Sequence, residues 1–240
     1  MNVRFLCCGD SALVVELGTH IDRTLNDRVL RLNTTVRAAR IAGIVETVPT
    51  FRSLMVQYDP LVTDNTAVRT AIEHLLDDQH DTPRTRKLWR IPACYAAPHG
   101  PDLAEVAQRT GLAAAEVVRL HSERRYHIYM VGFSPGYPYM GDLVEQLTLP
   151  RRTDPRVRVP RGSIAIAAGM TAIYPVESPG GWHLIGARPL CLFDPTWSQP
   201  ALLAAGDEVL FEPIEAAQFE EIRAAVAAGR YRVRREVVAS

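Results

Sequence analysis

The sequence has 240 residues, 47% hydrophobic and 22% charged, and its 27 basic and 27 acidic side chains leave no formal net charge. This length and balance suit a folded protein of one or two domains and exclude a disordered or low-complexity chain. Without a global field or an apolar run near the roughly 18 residues of a membrane helix, neither nucleic acid nor a membrane is an expected partner.

Val3 to Cys8 and Ala12 to Leu17 are β-prone runs either side of Gly9-Asp10, which reads as a hairpin. Ile21, Leu25, Val29, Leu32 and Val36 recur at helical spacing, so residues 21 to 40 are expected to form an amphipathic helix. Ile44 to Val48 and Ser53 to Tyr58 read as strands. Val68, Ile72, Leu75 and Leu76 mark a second helix, with Thr63 or Asp64 placed to cap it. A polar stretch, Asp77 to Arg86, precedes a strand-like run from Leu88 to Tyr95. Leaving aside the first strand, this order is the split βαβ pattern of a ferredoxin-like α/β sandwich, and an N-terminal domain is placed at 1–85.

From residue 86 to 240 the character changes. Leu103 to Gln108 and Ala113 to Glu123 read as short helices broken at Thr110-Gly111, and Tyr126 to Val131 as a strand. Short β-prone runs follow at Ser163 to Ala167, Thr171 to Val176, Trp182 to Ile185, Leu190 to Phe193 and Glu208 to Glu212. Their Gly and Pro punctuation predicts a closed or nearly closed β-barrel. Glu215 to Ala228 reads as a helix stopped by Gly229, and Tyr231 to Val237 alternates like a strand. The expected fold class is therefore α+β. Cys7, Cys8, Cys94 and Cys191 show no metal-binding spacing and are expected to be reduced core residues of a cytoplasmic protein. The N-terminus lacks the features of a signal peptide.

The run VGFSPGYPYM, Val131 to Met140, contains the G-x-S-x-G pattern of a nucleophile elbow. An elbow needs a backbone N–H on the residue after the serine and a helix beyond it. Here Pro135 has no N–H, and Gly136, Pro138 and Gly141 exclude the helix, so Ser134 is not expected to be a nucleophile. Phe133, Pro135, Gly136, Tyr137 and Tyr139 instead suit a rigid wall of a cleft or partner interface.

The stretches GFSPGYPYMGDL, LPRRTDPRVRVPRGSIAIA, TAIYPVESPGGWHLIG and LFDP, with GDSALVVELG and RSLMVQYDP nearer the N-terminus, resemble the 5-oxoprolinase B-subunit family. The family is also called KipI-like or allophanate hydrolase subunit 1. The resemblance implies an N-terminal α+β domain and a C-terminal cyclophilin-like β-barrel. It also implies a hetero-oligomer with a C-type (KipA-like) partner and an A-type partner, in which ATP and Mg²⁺ are used to open 5-oxo-L-proline to L-glutamate. One branch of the family inhibits a sensor histidine kinase, and fused versions occur in urea amidolyases. This chain departs from the family pattern at Met170, where a Gln is frequent, at Ala96 to His99 in place of a Gly-rich turn, and at Arg161.

Opening a lactam with ATP calls for a site that gathers anions. The segment Arg151 to Arg161 holds five arginines, of which Arg151, Arg156 and Arg158 fall on family positions and can grip carboxylate or phosphate bidentately. Gly180 and Gly181 can turn successive N–H groups toward an anion, with Trp182 as a cover and Thr171 and Tyr174 as hydroxyl contacts. The histidines form no metal-binding pair, His183 alone lies near this site, and no metal is expected. No Walker-type nucleotide loop is present.

Overall fold

A computed structural model describes residues 3–77 and 85–239. The chain divides into two compact units, Met1–Arg84 and Thr85–Ser240. The polar stretch Asp77 to Arg86 lies largely outside the described residues.

The first unit contains β1 (Arg4–Cys7), β2 (Ala12–Glu16), α1 (Arg23–Ala39), β3 (Ile44–Pro49), β4 (Ser53–Tyr58) and α2 (Asn65–Asp77). Its antiparallel sheet has the order β1-β2-β4-β3. Leu25, Val29, Leu32 and Val36 of α1 are buried, as their spacing requires, and pack with Val68 and Ile72 of α2 over the sheet. The Asp22 carboxylate accepts from the Leu25 N–H at 2.8 Å and caps α1. Ile21, expected inside the helix, precedes this cap and is 54% exposed. Asp64 caps α2 by accepting from the Ala67 N–H at 2.8 Å.

The strand expected to close this sheet, Leu88 to Tyr95, does not belong to it. That run forms β5 (Thr85–Ala93) of the second unit, and β1 takes the edge beside β2. The physical reason lies in burial: Leu88, Trp89, Ile91 and Ala93 are all covered, which suits a strand with neighbours on both edges and both faces.

The second unit continues with α3 (Leu103–Thr110), α4 (Ala114–Ser122), β6 (Arg125–Val131), β7 (Pro138–Met140), β8 (Arg156–Val159), β9 (Ser163–Ala167) and β10 (Met170–Ile173). It ends with β11 (Ser178–Gly180), β12 (His183–Ala187), β13 (Glu208–Pro213), α5 (Ala216–Ala227) and β14 (Arg234–Ala239). Eight strands form one sheet in the order β12-β9-β10-β7-β6-β13-β5-β14, and β8 and β11 form a separate ribbon. β5 runs parallel to β13. Beyond β5, Cys94 and Ala187 exchange both backbone hydrogen bonds at 2.8 Å, which brings the end of β12 back against the continuation of β5. Leu190 to Phe193, expected as a strand, forms only a single bridge from Phe193 to Ala201.

Alternation along β9 and β10 divides the core. Ile164, Ile166 and Ile173 face the main core with Tyr126, Ile128 and Phe211. Ala165, Ala167 and Ala172 face a second cluster with Tyr137, Tyr174 and Trp182. The cysteines are free, but only Cys94 is a core residue; Cys7 and Cys8 are exposed and Cys191 is half-buried. Among the described residues no helix is long and apolar enough to cross a membrane.

Candidate functional site

The loop around Ser134 joins the antiparallel strands β6 and β7, so it is a hairpin rather than a strand-to-helix elbow. The Tyr137 N–H donates to the Ser134 carbonyl at 3.1 Å, and Gly136 takes φ 75° with its α-carbon facing Phe193. A side chain at Gly136 would meet the Phe193 β-carbon at 2.8 Å, which explains the glycine. Phe133, at the tip, is 69% exposed in a left-handed conformation, φ 71°.

Tyr137 and Tyr139 turn from this hairpin onto the sheet face formed by β9, β10 and β12. Tyr137 stands edge-on to Tyr174, with ring centroids 5.2 Å apart, and Tyr139 approaches Trp182 edge-on at 6.2 Å. Met170, at the position where the family frequently has Gln, packs at the border of the same cluster. Burial pushes the Tyr137, Tyr139 and Tyr174 hydroxyls up, against an opposing pull from the Arg151 cation. Tyr137, Tyr139, Tyr174 and Trp182 thus form one aromatic cluster, buried except at Tyr139, with the exposed Arg151 close enough for its charge to reach all three tyrosines.

The remaining expected residues separate. Thr171 points to the opposite face, is fully buried, and donates to the Ala165 carbonyl at 3.1 Å. Its one proton is spent there, so at 2.9 Å it must accept from His121 Nε2–H. Nδ1 of the neutral imidazole then accepts from the Tyr95 hydroxyl at 2.8 Å. Burial pushes His121 down to about 3, which keeps this chain of hydrogen bonds uncharged.

Gly180 pairs with Arg156 in the β8–β11 ribbon, and neither Gly180 nor Gly181 is among the residues with positive φ. The glycine at 180 is required for another reason: a β-carbon there would overlap the Tyr174 hydroxyl. Gly181 is open by comparison, with Pro155 carbons at 3.6 Å.

Arg156 and Arg152 converge on acidic partners that sequence reasoning missed. Asp102 is 4% exposed and accepts from Arg156 Nη2 at 2.5 Å and from the Leu184 N–H at 2.7 Å. Arg152 donates to Glu105 at 2.8 Å, and this bond holds the Glu105 carboxyl below its ordinary range. His183, fully buried, donates from Nε2 to the Pro150 carbonyl at 3.0 Å and places Nδ1 3.9 Å from Glu105. The only hint of Asp102 in the sequence is its position before a helix, which suggests a cap; its carboxylate instead ties α3 to β12 and to the ribbon. Arg158 turns away to an exposed pair with Glu177 at 2.7 Å.

Tyr137, Tyr174 and Trp182 are buried, so what the cluster presents outward is the half-buried Tyr139 with the exposed Arg151 near it, a border that pairs an aromatic ring with a cation. A family model for the carboxyltransferase domain, subdomain C and D, matches residues 3–203. The chain is 36% identical over 224 residues to the B subunit of 5-oxoprolinase from Bacillus subtilis (strain 168), covering 88% of this chain and 93% of that protein. To the B subunit of 5-oxoprolinase from Escherichia coli O157:H7 it is 39% identical over 216 residues, covering 88% and 96%. It also resembles the crystal structure of TTHA0988, with a TM-score of 0.77 at 34% identity over 86% of this chain, and spans only 40% of that longer chain. The class defined by the fold and its match is the carboxyltransferase subdomain C and D group. Within it, the chain belongs to the 5-oxoprolinase B-subunit family.

Proposed function

We propose that this chain is the B subunit of a multi-subunit 5-oxoprolinase that opens 5-oxo-L-proline to L-glutamate at the expense of ATP. The observation that carries the reading is the identity of 36% and 39% to two 5-oxoprolinase B subunits over nearly their whole lengths. On this reading the chain acts in the cytoplasm with C-type (KipA-like) and A-type partners, and ATP and Mg²⁺ are used by the assembled enzyme. Among the described residues no group of three or more His, Cys, Asp and Glu side chains is placed to hold a metal.

The chemistry assigned to the chain is binding and orientation. On this reading the lactam ring meets the half-buried Tyr139 at the border of the aromatic cluster, Arg151 draws the substrate carboxylate there, and the buried Tyr137, Tyr174 and Trp182 hold that border in place from behind. Arg156, held by Asp102, fixes the ribbon that carries Gly180 against Tyr174. Domains at 1–85 and 86–240, the first ferredoxin-like with β1 on the vacant edge and the second a cyclophilin-like barrel clasped at Cys94 and Ala187, complete the proposal.

The test is reconstitution. The purified chain with its A-type and C-type partners is expected to form glutamate from 5-oxoproline only when ATP and all three proteins are present. Three proteins that associate without ever yielding glutamate would defeat the reading. In the active mixture, Trp182→Ala or Arg151→Ala is expected to lower kcat/KM about 10-fold or more, equivalent to about 1.4 kcal/mol of lost transition-state binding. Wild-type turnover in both would show the site to be elsewhere.

A further inference from the structure

A cavity of about 790 Å³ is lined by residues of the β8 segment, of the stretch after β12 and of α5. Its rim carries Arg156, Arg158, Arg161 and Arg223, its apolar walls include Leu190 and Phe219, and its lining residues include no Asp or Glu. Arg188, directly after β12, also lines it and is only 3% exposed. The Arg188 N–H donates to the Gly162 carbonyl at 3.0 Å. Gly162 takes φ 93°, and a β-carbon there would sit 2.9 Å from the Arg188 carbonyl oxygen. Only glycine lets these two segments approach so closely, and their contact fixes where the arginine enters the cavity.

The charges do not balance. Asp102 answers Arg156, Glu177 answers Arg158 and Glu220 answers Arg223. Arg188 makes no ion pair among the described residues, and its Nε and Nη2 are buried without hydrogen-bond partners. Arg161, exposed at the mouth, directs Nη2 at the Cys191 sulfur rather than at a carboxylate. Asp194 feels the Arg161 charge but spends its hydrogen bonds on Thr196. Burial, with Arg161 nearby, pushes the Arg188 guanidinium down to about 9, so it still carries its charge at neutral pH. A buried cation with two idle donors is costly, and a bidentate oxyanion supplies both the charge and the acceptors it lacks.

We propose that this cavity binds a small organic anion, its phosphate or carboxylate group held by Arg188 and Arg161 and its apolar part set against Leu190 and Phe219. The cavity borders the aromatic cluster through Arg156 and Leu184, but the two arginines that hold the anion, Arg188 and Arg161, are not part of that cluster, and the proposal does not depend on the oxoprolinase reading.

The test uses the full chain, titrated with inorganic phosphate, with AMP and with L-glutamate at constant ionic strength, read by thermal unfolding and calorimetry. Saturable stabilisation of the wild type by at least one of the three is expected. AMP or phosphate binding about tenfold tighter than glutamate assigns a phosphate ligand, and the reverse order assigns a carboxylate. Arg188→Met is expected to abolish the saturable response and, without anion, to melt at a higher temperature than the wild type, because it removes an unpaired buried charge. Arg161→Gln, at an exposed position, is expected to fold normally and weaken binding about tenfold. No saturable response in the wild type, equal binding by the wild type and Arg161→Gln, or an anion-free Arg188→Met less stable than the wild type would each overturn the proposal.

Discussion

The glycine pair at 180 and 181 shows how a residue can be indispensable for a reason unlike the one its sequence suggests. Consecutive glycines before a tryptophan look like an anion nest, yet the backbone of Gly180 is occupied by the ribbon and its missing side chain makes room for Tyr174. Gly180→Ala is expected to cost about 1–3 kcal/mol by overpacking, while Gly181→Ala, facing ordinary contacts, stays near neutral; chemical denaturation of the two variants measures the difference. His121 gives a pH prediction with a definite sign. Its folded value, about 3, lies below the ordinary histidine value, so the unfolded chain binds the extra proton between them. Stability from this group is therefore full above pH ~6.5 and falls by about 1.4 kcal/mol per pH unit as the pH drops toward 3. His121→Gln is expected to have a flatter stability profile from pH 6 to 4, measured by urea unfolding; an unchanged slope would refute the assignment. Residues of this kind escape sequence reading because burial and direction are set by neighbours distant in the chain. Thr171 read as a hydroxyl contact for the ligand, as Tyr174 did, and only the pairing of β10 decides that Thr171 faces the core instead.

At the level of elements, periodicity was informative wherever one face is buried against a core. The spacing of Leu25, Val29, Leu32 and Val36 located α1, and Gly111, with φ 70°, ends α3 where the Thr110-Gly111 break was read. Elements without such a face were not legible. β8 and β11 alternate poorly because the ribbon is short and largely exposed, and Arg156 and Arg158 read as a basic loop. Leu190 to Phe193 failed in the opposite sense, since Leu190 and Leu192 are buried in the main core while the backbone makes only one isolated bridge, at Phe193. β14 is an edge element whose role can be measured. It covers Thr85 to Arg90 of β5, stacks Arg235 over Trp89 and brings Glu236 to Arg90 at 2.7 Å. Removing residues 231–240 is expected to lower the melting temperature and cause concentration-dependent association through the bared edge, detectable by light scattering. A monomeric, equally stable truncated chain would show that β14 protects nothing.

For the whole molecule, two cores separated in sequence make a simple prediction. Trp89, Trp182 and Trp197 all lie in the second unit, so tryptophan fluorescence reports on that unit alone. Residues 85–240 expressed by themselves are expected to unfold cooperatively by this probe with a midpoint near that of the full chain; a non-cooperative transition would show that the second core needs the first unit. The change of character near residue 86 was visible in composition and turn spacing. What could not be read there was the fate of the strand at the junction, because Leu88 to Ala93 is apolar enough to complete either sheet. Its parallel partner, β13, lies over a hundred residues on, and no local pattern records such a pairing.

The two hydrogen bonds between Cys94 and Ala187 have a kinetic meaning as well. They join segments separated by more than ninety residues, a loop whose closure costs entropy that no local contact repays early in folding. An isolated pair of this kind, outside the continuous ladders, is expected to form after the sheet it joins. Weakening it, for instance by Ala187→Pro, is expected to accelerate unfolding while leaving the refolding rate nearly untouched, as stopped-flow kinetics would read, so that the clasp would set how long the native sheet persists more than how quickly it assembles.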